Sequence, residues 1–233
     1  MRWATVAPLL PGPGTLAVEF GCGLGAYGAR FARRFATYQG IEPDQDSAKV
    51  ARSRVEPFGG QIIADPTGLA HGSAGLVCAF EVLEHLPDDR QALAEWVQYA
   101  APGATVIVSV PAEPERFGPW DERVGHYRRY SSADLADLLR AAGLTSVEAR
   151  HYGFPFGYAL EFARNTIARR RRTADLDVPF DKRTETSGRQ RQPHLAWMGT
   201  ARWYLTGPFR AIQRRFPHRG PGLVAVGRVP ADA

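Results

Sequence analysis

Residues 16–28 read LAVEFGCGLGAYG: an apolar run, an acid at Glu19, then four glycines within eight positions. A buried strand that runs into a glycine-rich turn and a helix lets backbone N–H groups approach a ligand where side chains would block it. This is the pattern of a cofactor site. Further along, Glu81, Glu84 and His85 lie in FEVLEHLPD and His126 lies in GHYRRYS. Carboxylates and imidazoles are the groups that exchange protons with a substrate near neutral pH.

The elements that must position these groups follow from hydrophobic patterning. Strands are expected at residues 15–20, 38–42, 61–64, 75–80, 105–110, 144–151 and 223–229. Helices are expected at 26–35, 46–55, 88–100 and 131–142, the last with Ser131 and Asp134 as a capping-box pair and Gly143 as its stop. Strands alternating with helices imply an α/β fold, a Rossmann-like, doubly wound and mostly parallel sheet. In such a sheet the ligand lies beyond the carboxyl ends of the strands, so the loops after Phe20, Ile41, Ala64, Phe80 and Val110 share one crevice.

At 233 residues, 44% hydrophobic, the chain suits one core with an insertion better than two domains. The expected division is a core over 1–152, a basic, aromatic helical insertion over 153–222, and a last core strand and tail over 223–233. Cys22 and Cys78 are too few for a disulfide framework and read as reduced fillers, which suits a cytoplasmic protein. The opening MRWATVAPLL is interrupted at once by Pro11-Gly12-Pro13-Gly14, unlike a signal peptide, and no apolar run approaches the roughly 20 residues that span a bilayer. Charge is segregated: residues 1–150 carry 14 Lys+Arg against 18 Asp+Glu, and residues 151–233 carry 15 against 6.

Four stretches, VEFGCGLGAYG at 18–28, GIEPD at 40–44, FEVLEHLPD at 80–88 and APGATVIVSVP at 101–111, together resemble the class I S-adenosylmethionine-dependent methyltransferases. The resemblance covers roughly the first 150 residues and the final strand. It implies a seven-stranded sheet with the last strand antiparallel beside the fifth, and S-adenosyl-L-methionine as cofactor. It also implies roles. Glu19 would help orient the methionine amine, and Gly21, Gly23 and Gly25 would let the backbone pass close to the amino-acid end. Glu42 would accept both ribose hydroxyls, Asp65 would sit near the adenine, and Phe80 with Glu81 would wall the cofactor's centre. A dinucleotide is the competing cofactor, because Gly23, Gly25 and Gly28 spell G-x-G-x-x-G and Glu42 follows where a ribose-binding acid belongs. That would make the chain an NAD(P)-dependent oxidoreductase. FEVLEHL and the Pro102-Gly103 entry to the fifth strand favour methyl transfer.

Methyl transfer from a sulfonium needs mainly positioning, and an oxygen nucleophile needs a base or a metal besides. Glu84, His85 and His126 are the expected catalytic groups. Glu81-x-x-Glu84-His85 resembles the motif that holds a divalent metal in ubiquinone-pathway O-methyltransferases and small-RNA 2′-O-methyltransferases, with His126 in the place of a later histidine. Glu81, Glu84, His85 and His126 are therefore candidate metal ligands, with a helix cap and pocket lining as their other reading. In the long stretch 111–130, Trp120 and Tyr127 are expected to line an acceptor pocket, and Arg128 or Arg129 to meet an anionic acceptor.

The insertion carries Phe156, Leu160, Ala163 and Ile167 at helical spacing before Arg169 to Arg172, and HLAWMGTARWYL before a second stripe of Phe209, Ile212 and Phe216. Its helices are expected to cover the crevice with their apolar faces on the core, and to contact an anionic membrane, at the inner membrane face, as a further role. A small-molecule or lipid-linked acceptor is the expected partner. Nucleic acid is the less favoured one, since no RNA-binding module accompanies the arginines. A protein that binds the cofactor without catalysis is the alternative of a different class.

Overall fold

A computed structural model of the chain describes residues 1–13, 16–175 and 207–231. Its centre is a seven-stranded sheet in the order β3-β2-β1-β4-β5-β7-β6. The strands are β1 (Leu16–Phe20), β2 (Thr37–Ile41), β3 (Gln61–Ile63), β4 (Ala74–Phe80), β5 (Ala100–Pro111), β6 (Thr145–Tyr152) and β7 (Gly222–Arg228). β7 runs antiparallel to both neighbours, pairing Ile107 with Val226 and His151 with Leu223, while β1 to β5 are parallel. All seven expected strands form, within a few residues of where patterning puts them.

Successive residues of a strand point to opposite faces, so the central strands feed two cores. Val18, Val77 and Val106 pack on one face with Leu93, Trp96, Leu135 and Leu139. Ala17, Leu76, Cys78 and Ile107 pack on the other with Val6, Phe31, Ala51 and Val55. The helices behind these cores are α1 (Arg2–Val6), α2 (Gly28–Phe31), α3 (Gln45–Val55), α4 (Asp89–Val97) and α6 (Ser132–Ala141), with α5 (Pro119–Val124) in the loop after β5. Asp44, Asp88 and Ser131 cap α3, α4 and α6 through their side chains, each accepting from a backbone N–H three residues on. Both cysteines are free and buried.

Four differences from the sequence reading matter. The helix expected over 26–35 shrinks to α2, and α4 ends at Val97, well before Pro102-Gly103, which lie inside β5. A short helix, α1, forms in the N-terminal stretch that patterning treated only as a non-signal. Finally, α7 (Phe156–Asp175) leaves Phe156, Leu160 and Ile167 exposed and buries Glu161 and Ala168 instead. The expected apolar contact with the core is replaced by a polar one, because Glu161 meets two arginines, Arg116 and Arg129. α8 (Gly207–Arg215) follows, and residues 176–206, which hold HLAWMGTARWYL, lie outside the described residues.

Candidate active site

The glycine turn after β1 requires glycine for two separate reasons. Gly21, Gly23 and Gly25 have φ of +64°, +56° and +72°, in the left-handed region. A Cβ at Gly21 would also come within 2.6 Å of Val82 Cγ2, and one at Gly25 within 3.0 Å of Ala51 Cα. Glu42, just past β2, ties the turn in place. Its Oε2 accepts from the Gly23 N–H at 2.7 Å and its Oε1 from the Asp44 N–H at 3.0 Å. Burial pushes the Glu42 carboxyl up, against the pull of those two bonds. Asp65 is exposed on the loop after β3, accepting from the Thr67 N–H at 2.9 Å.

Glu19 is set behind this turn. The Tyr38 hydroxyl donates to its Oε2 at 2.6 Å, and the phenol reaches it between Gly28 and Gly40, where a Cβ on either would come within 2.6 Å of the oxygen. Burial pushes the Glu19 carboxyl up to about 8 from an ordinary 4.5. Between those values the folded protein holds a proton that the unfolded chain has released. This contribution to stability is therefore complete below the lower value and is lost as pH rises through the higher. Glu19→Gln keeps the acceptor for Tyr38 without the titration. Thermal melting of the ligand-free protein should fall from pH 5 to 8 in the wild type, and less steeply in Glu19→Gln.

Past β4, Glu81 adopts φ +61°, uncommon for a residue with a side chain and the kind of strain that functional sites hold. Its Oε1 accepts from Ser109 Oγ at 3.2 Å and from the Tyr152 hydroxyl at 3.0 Å, and pairs with Arg2 Nη1 at 3.3 Å. Arg2 also donates to the Tyr27 hydroxyl at 3.1 Å and to Ser109 Oγ at 3.0 Å, and lies over the rings of Tyr27 and Phe80. The guanidinium, half-buried, stays charged, held by Tyr27, Tyr152 and Glu81. Arg2 is a cation at this end of the crevice that sequence reasoning missed.

Glu84 and His85 follow in a single 3-10 turn, Leu83–His85, and both are buried. The loop after β5 brings His126 to them. That loop is pinned at its ends, where the Tyr130 N–H donates to Pro111 O and the Glu113 N–H to Tyr130 O, both at 3.0 Å. Within it α5 ends at Gly125, φ +76°, and turns His126 back beneath the helix. Asp121 Oδ1 meets His126 Nδ1 at 2.7 Å, and Gly125 O meets His85 Nδ1 at 3.0 Å. A carboxylate and a carbonyl accept only, so each Nδ1 carries a proton, which leaves Nε2 a lone pair when the ring is neutral. The two rings cross edge to face at 4.7 Å, His126 Nε2 lies 3.8 Å from Glu84 Oε1, and one donor atom from each of Glu84, His85 and His126 lies within 4.8 Å of the others.

Asp121 was not singled out in the sequence, although D-x4-H-x2-R, from α5 into the loop that follows it, was the available signal. Burial would raise its carboxyl, but His126 and Arg129 outweigh that and hold it below the usual carboxylate range. Arg129 grips it with two bonds, Nε to Oδ1 at 3.0 Å and Nη2 to Oδ2 at 2.7 Å, and reaches Glu161 Oε2 on α7 at 3.3 Å. Arg128 donates to Pro87 O and pairs with Asp89 at 2.9 Å. Both arginines expected to meet an acceptor are thus engaged within the chain. The guanidiniums of Arg123 and Arg164 lie over the Trp120 ring, and Tyr127 is exposed.

Among known proteins, residues 5–149, more than half of the chain, match the family model described as a methyltransferase domain. The chain is 32% identical over 159 residues to a "probable S-adenosylmethionine-dependent methyltransferase" of Mycolicibacterium smegmatis, covering 58% of this chain and 60% of the relative. It is 32% identical over 116 residues to a ubiquinone biosynthesis O-methyltransferase of Thiobacillus denitrificans, covering 47% and 49%. The chain thus spans about half to three fifths of the length of such relatives. Its fold superposes on an S-adenosylmethionine-dependent methyltransferase from Thermotoga maritima with a TM-score of 0.57 at 18% identity, over 97% of this chain and 87% of that one. With its glycine turn, its strand order and its antiparallel β7, the chain belongs to the methyltransferase-domain family, on the class I S-adenosylmethionine-dependent methyltransferase fold.

Proposed function

We propose that the protein transfers the methyl group of S-adenosylmethionine to an oxygen of a small-molecule or lipid-linked acceptor, with Glu84, His85 and His126 holding and deprotonating the hydroxyl. The observation that carries this reading is the convergence of two keyed imidazoles on one buried carboxylate at the carboxyl ends of β4 and β5. The ubiquinone-pathway relative and an O-methyltransferase of Penicillium expansum support oxygen as the acceptor atom.

On the cofactor side, Glu42 would take the ribose, Gly21, Gly23 and Gly25 the amino-acid end, with Glu19 behind them supporting the methionine amine through the turn. Asp65 would border the adenine, and Phe80 and Glu81 the centre. Bound there, S-adenosylmethionine would supply an activated methyl group to the acceptor oxygen, its sulfur keeping the bonding pair. The hydroxyl proton passes to His126 Nε2. Asp121 balances the resulting imidazolium and holds the ring in place.

The donor set also fits a divalent metal: two imidazole nitrogens and a carboxylate oxygen, with each imidazole oriented by an acceptor on its far nitrogen. Glu84, His85 and His126 would hold it, whereas Glu81 is taken up by Arg2, Ser109 and Tyr152. Such an ion would lower the pKa of the acceptor hydroxyl. With the ion on His126 Nε2 that nitrogen would be a ligand and not the base; in that case chelated protein would bind S-adenosylhomocysteine normally, lose turnover, and regain it with added Mg²⁺ or Mn²⁺. Direct titration with Mn²⁺ should show a site that is lost in His85→Ala. Full turnover in excess EDTA with no Mn²⁺ uptake would remove the metal and leave His126 as the base.

A further inference from the structure

We propose that the outer face of α7 and α8 seats the protein on an anionic lipid bilayer. α7 has two unlike sides. The inner side is polar and fully used: Glu161 pairs with Arg116 and Arg129, Asn165 accepts from the Trp120 N–H, and Tyr158 donates to Glu113. The outer side carries Phe156, Leu160, Ala163 and Ile167 at i, i+4, i+7 and i+11, a continuous stripe at helical spacing. Ile167 is 49% exposed, and Phe162, further round the helix, is 75% exposed.

α8 extends this face. Phe209 stacks on Phe156 with ring centroids 5.2 Å apart, and Ile212 and Phe216 are each 39% exposed. Arg169, Arg170, Arg214, Arg215 and Arg219 are exposed beside these apolar groups, while Arg164 lies over Trp120. Among the described residues 153–170 and 207–222 the one acid is Glu161, which is buried. Residues 153–170 and 207–222 thus present five guanidiniums away from α5 and no exposed carboxylate, and Asp175 ends α7.

Apolar side chains bordered by guanidiniums suit a bilayer interface, where the rings and aliphatic groups enter the acyl boundary and the arginines reach the headgroups. A second copy of the chain fits poorly, since a two-fold contact would set like charges against each other. Nucleic acid would satisfy the arginines but leave Leu160, Phe162 and Ile167 against phosphates. Of the three, an anionic bilayer satisfies both the charge and the apolar groups. Seating on it requires nothing of the acceptor's identity.

The test is co-sedimentation of the full chain with vesicles of phosphatidylcholine alone, or mixed in equal parts with phosphatidylglycerol, at low and at physiological salt. The wild type should bind the mixed vesicles at least about tenfold more tightly than the neutral ones. The double variants Phe162→Asp/Ile167→Asp and Arg169→Glu/Arg170→Glu should each weaken that binding at least about tenfold. Unchanged binding of S-adenosylhomocysteine would show that both still fold. Absence of binding to mixed vesicles at low salt overturns the proposal, as does equal binding by either folded variant. Tighter binding of single-stranded RNA than of vesicles, lost in the charge variant, would overturn it in favour of nucleic acid.

Discussion

Replacing His126 with alanine should lower kcat by about 10²- to 10⁴-fold, the range expected for a positioned proton acceptor, while leaving the affinity for S-adenosylhomocysteine unchanged. The ring is buried between Asp121 and Glu84, and its contacts are with the turn after β4 and with α5 rather than with the glycine turn. Asp121→Asn is the sharper companion experiment. It preserves the shape that Arg129 grips but removes the charge that orients His126 and would balance the imidazolium. A loss in kcat with cofactor affinity intact is expected, smaller than in His126→Ala. Asp121→Ala would instead leave Arg129 with only Glu161 in a buried setting, and removing one partner of a buried ion pair commonly destabilises by about 3–5 kcal/mol. The Asn amide would set a donor against Arg129 and against either His126 or the Gly118 N–H, so melting temperature should fall in both variants, and further for Ala.

The second large effect belongs to Glu42. Each carboxylate oxygen already accepts one backbone N–H, from Gly23 and Asp44. An ionised carboxylate has about four lone-pair sites, so two remain for a vicinal diol. Glu42→Ala removes those acceptors and also releases the Gly23 N–H that fixes the turn. Hydrogen bonds to a charged group contribute about 1.5–3 kcal/mol each, so affinity for the cofactor product should fall about 10²-fold or more. Glu42→Gln should lose nearly as much, because its amide would set a donor against one of the two backbone N–H groups. Calorimetric titration of each variant with S-adenosylhomocysteine reads the effect directly. Affinity within about twofold of wild type in Glu42→Ala would place the ribose elsewhere.

What the sequence made legible was local. The parallel strands show as apolar runs because both faces of β1 and β4 are covered, and α6 announces itself through Ser131, Asp134 and Gly143. Glu84, His85 and His126 could be named in advance because EVLEH and GHYRRYS carry the right side chains, and the structure brings the three together. What escaped depended on distant partners. Arg2 sits in a five-residue helix without a side-chain cap, and the groups that hold it lie 25 and 107 residues away. The burial of Glu161 could not be read from α7 alone, since periodicity assigns its inner face to Phe156, Leu160 and Ile167. Its ion pair with Arg129, 32 residues earlier, reverses that assignment. Asp65 and Tyr127 are correctly placed on loops, but their exposure depends on packing that no local pattern encodes.

The most direct measurement is calorimetric titration of the purified wild-type chain with S-adenosylhomocysteine, run beside an identical titration with NADH. One site of micromolar affinity for S-adenosylhomocysteine, with no heat from NADH, is the result that a class I methyltransferase crevice built on Gly21, Gly23, Gly25 and Glu42 predicts. Binding of NADH in place of S-adenosylhomocysteine would contradict it and turn the same glycines into a dinucleotide site.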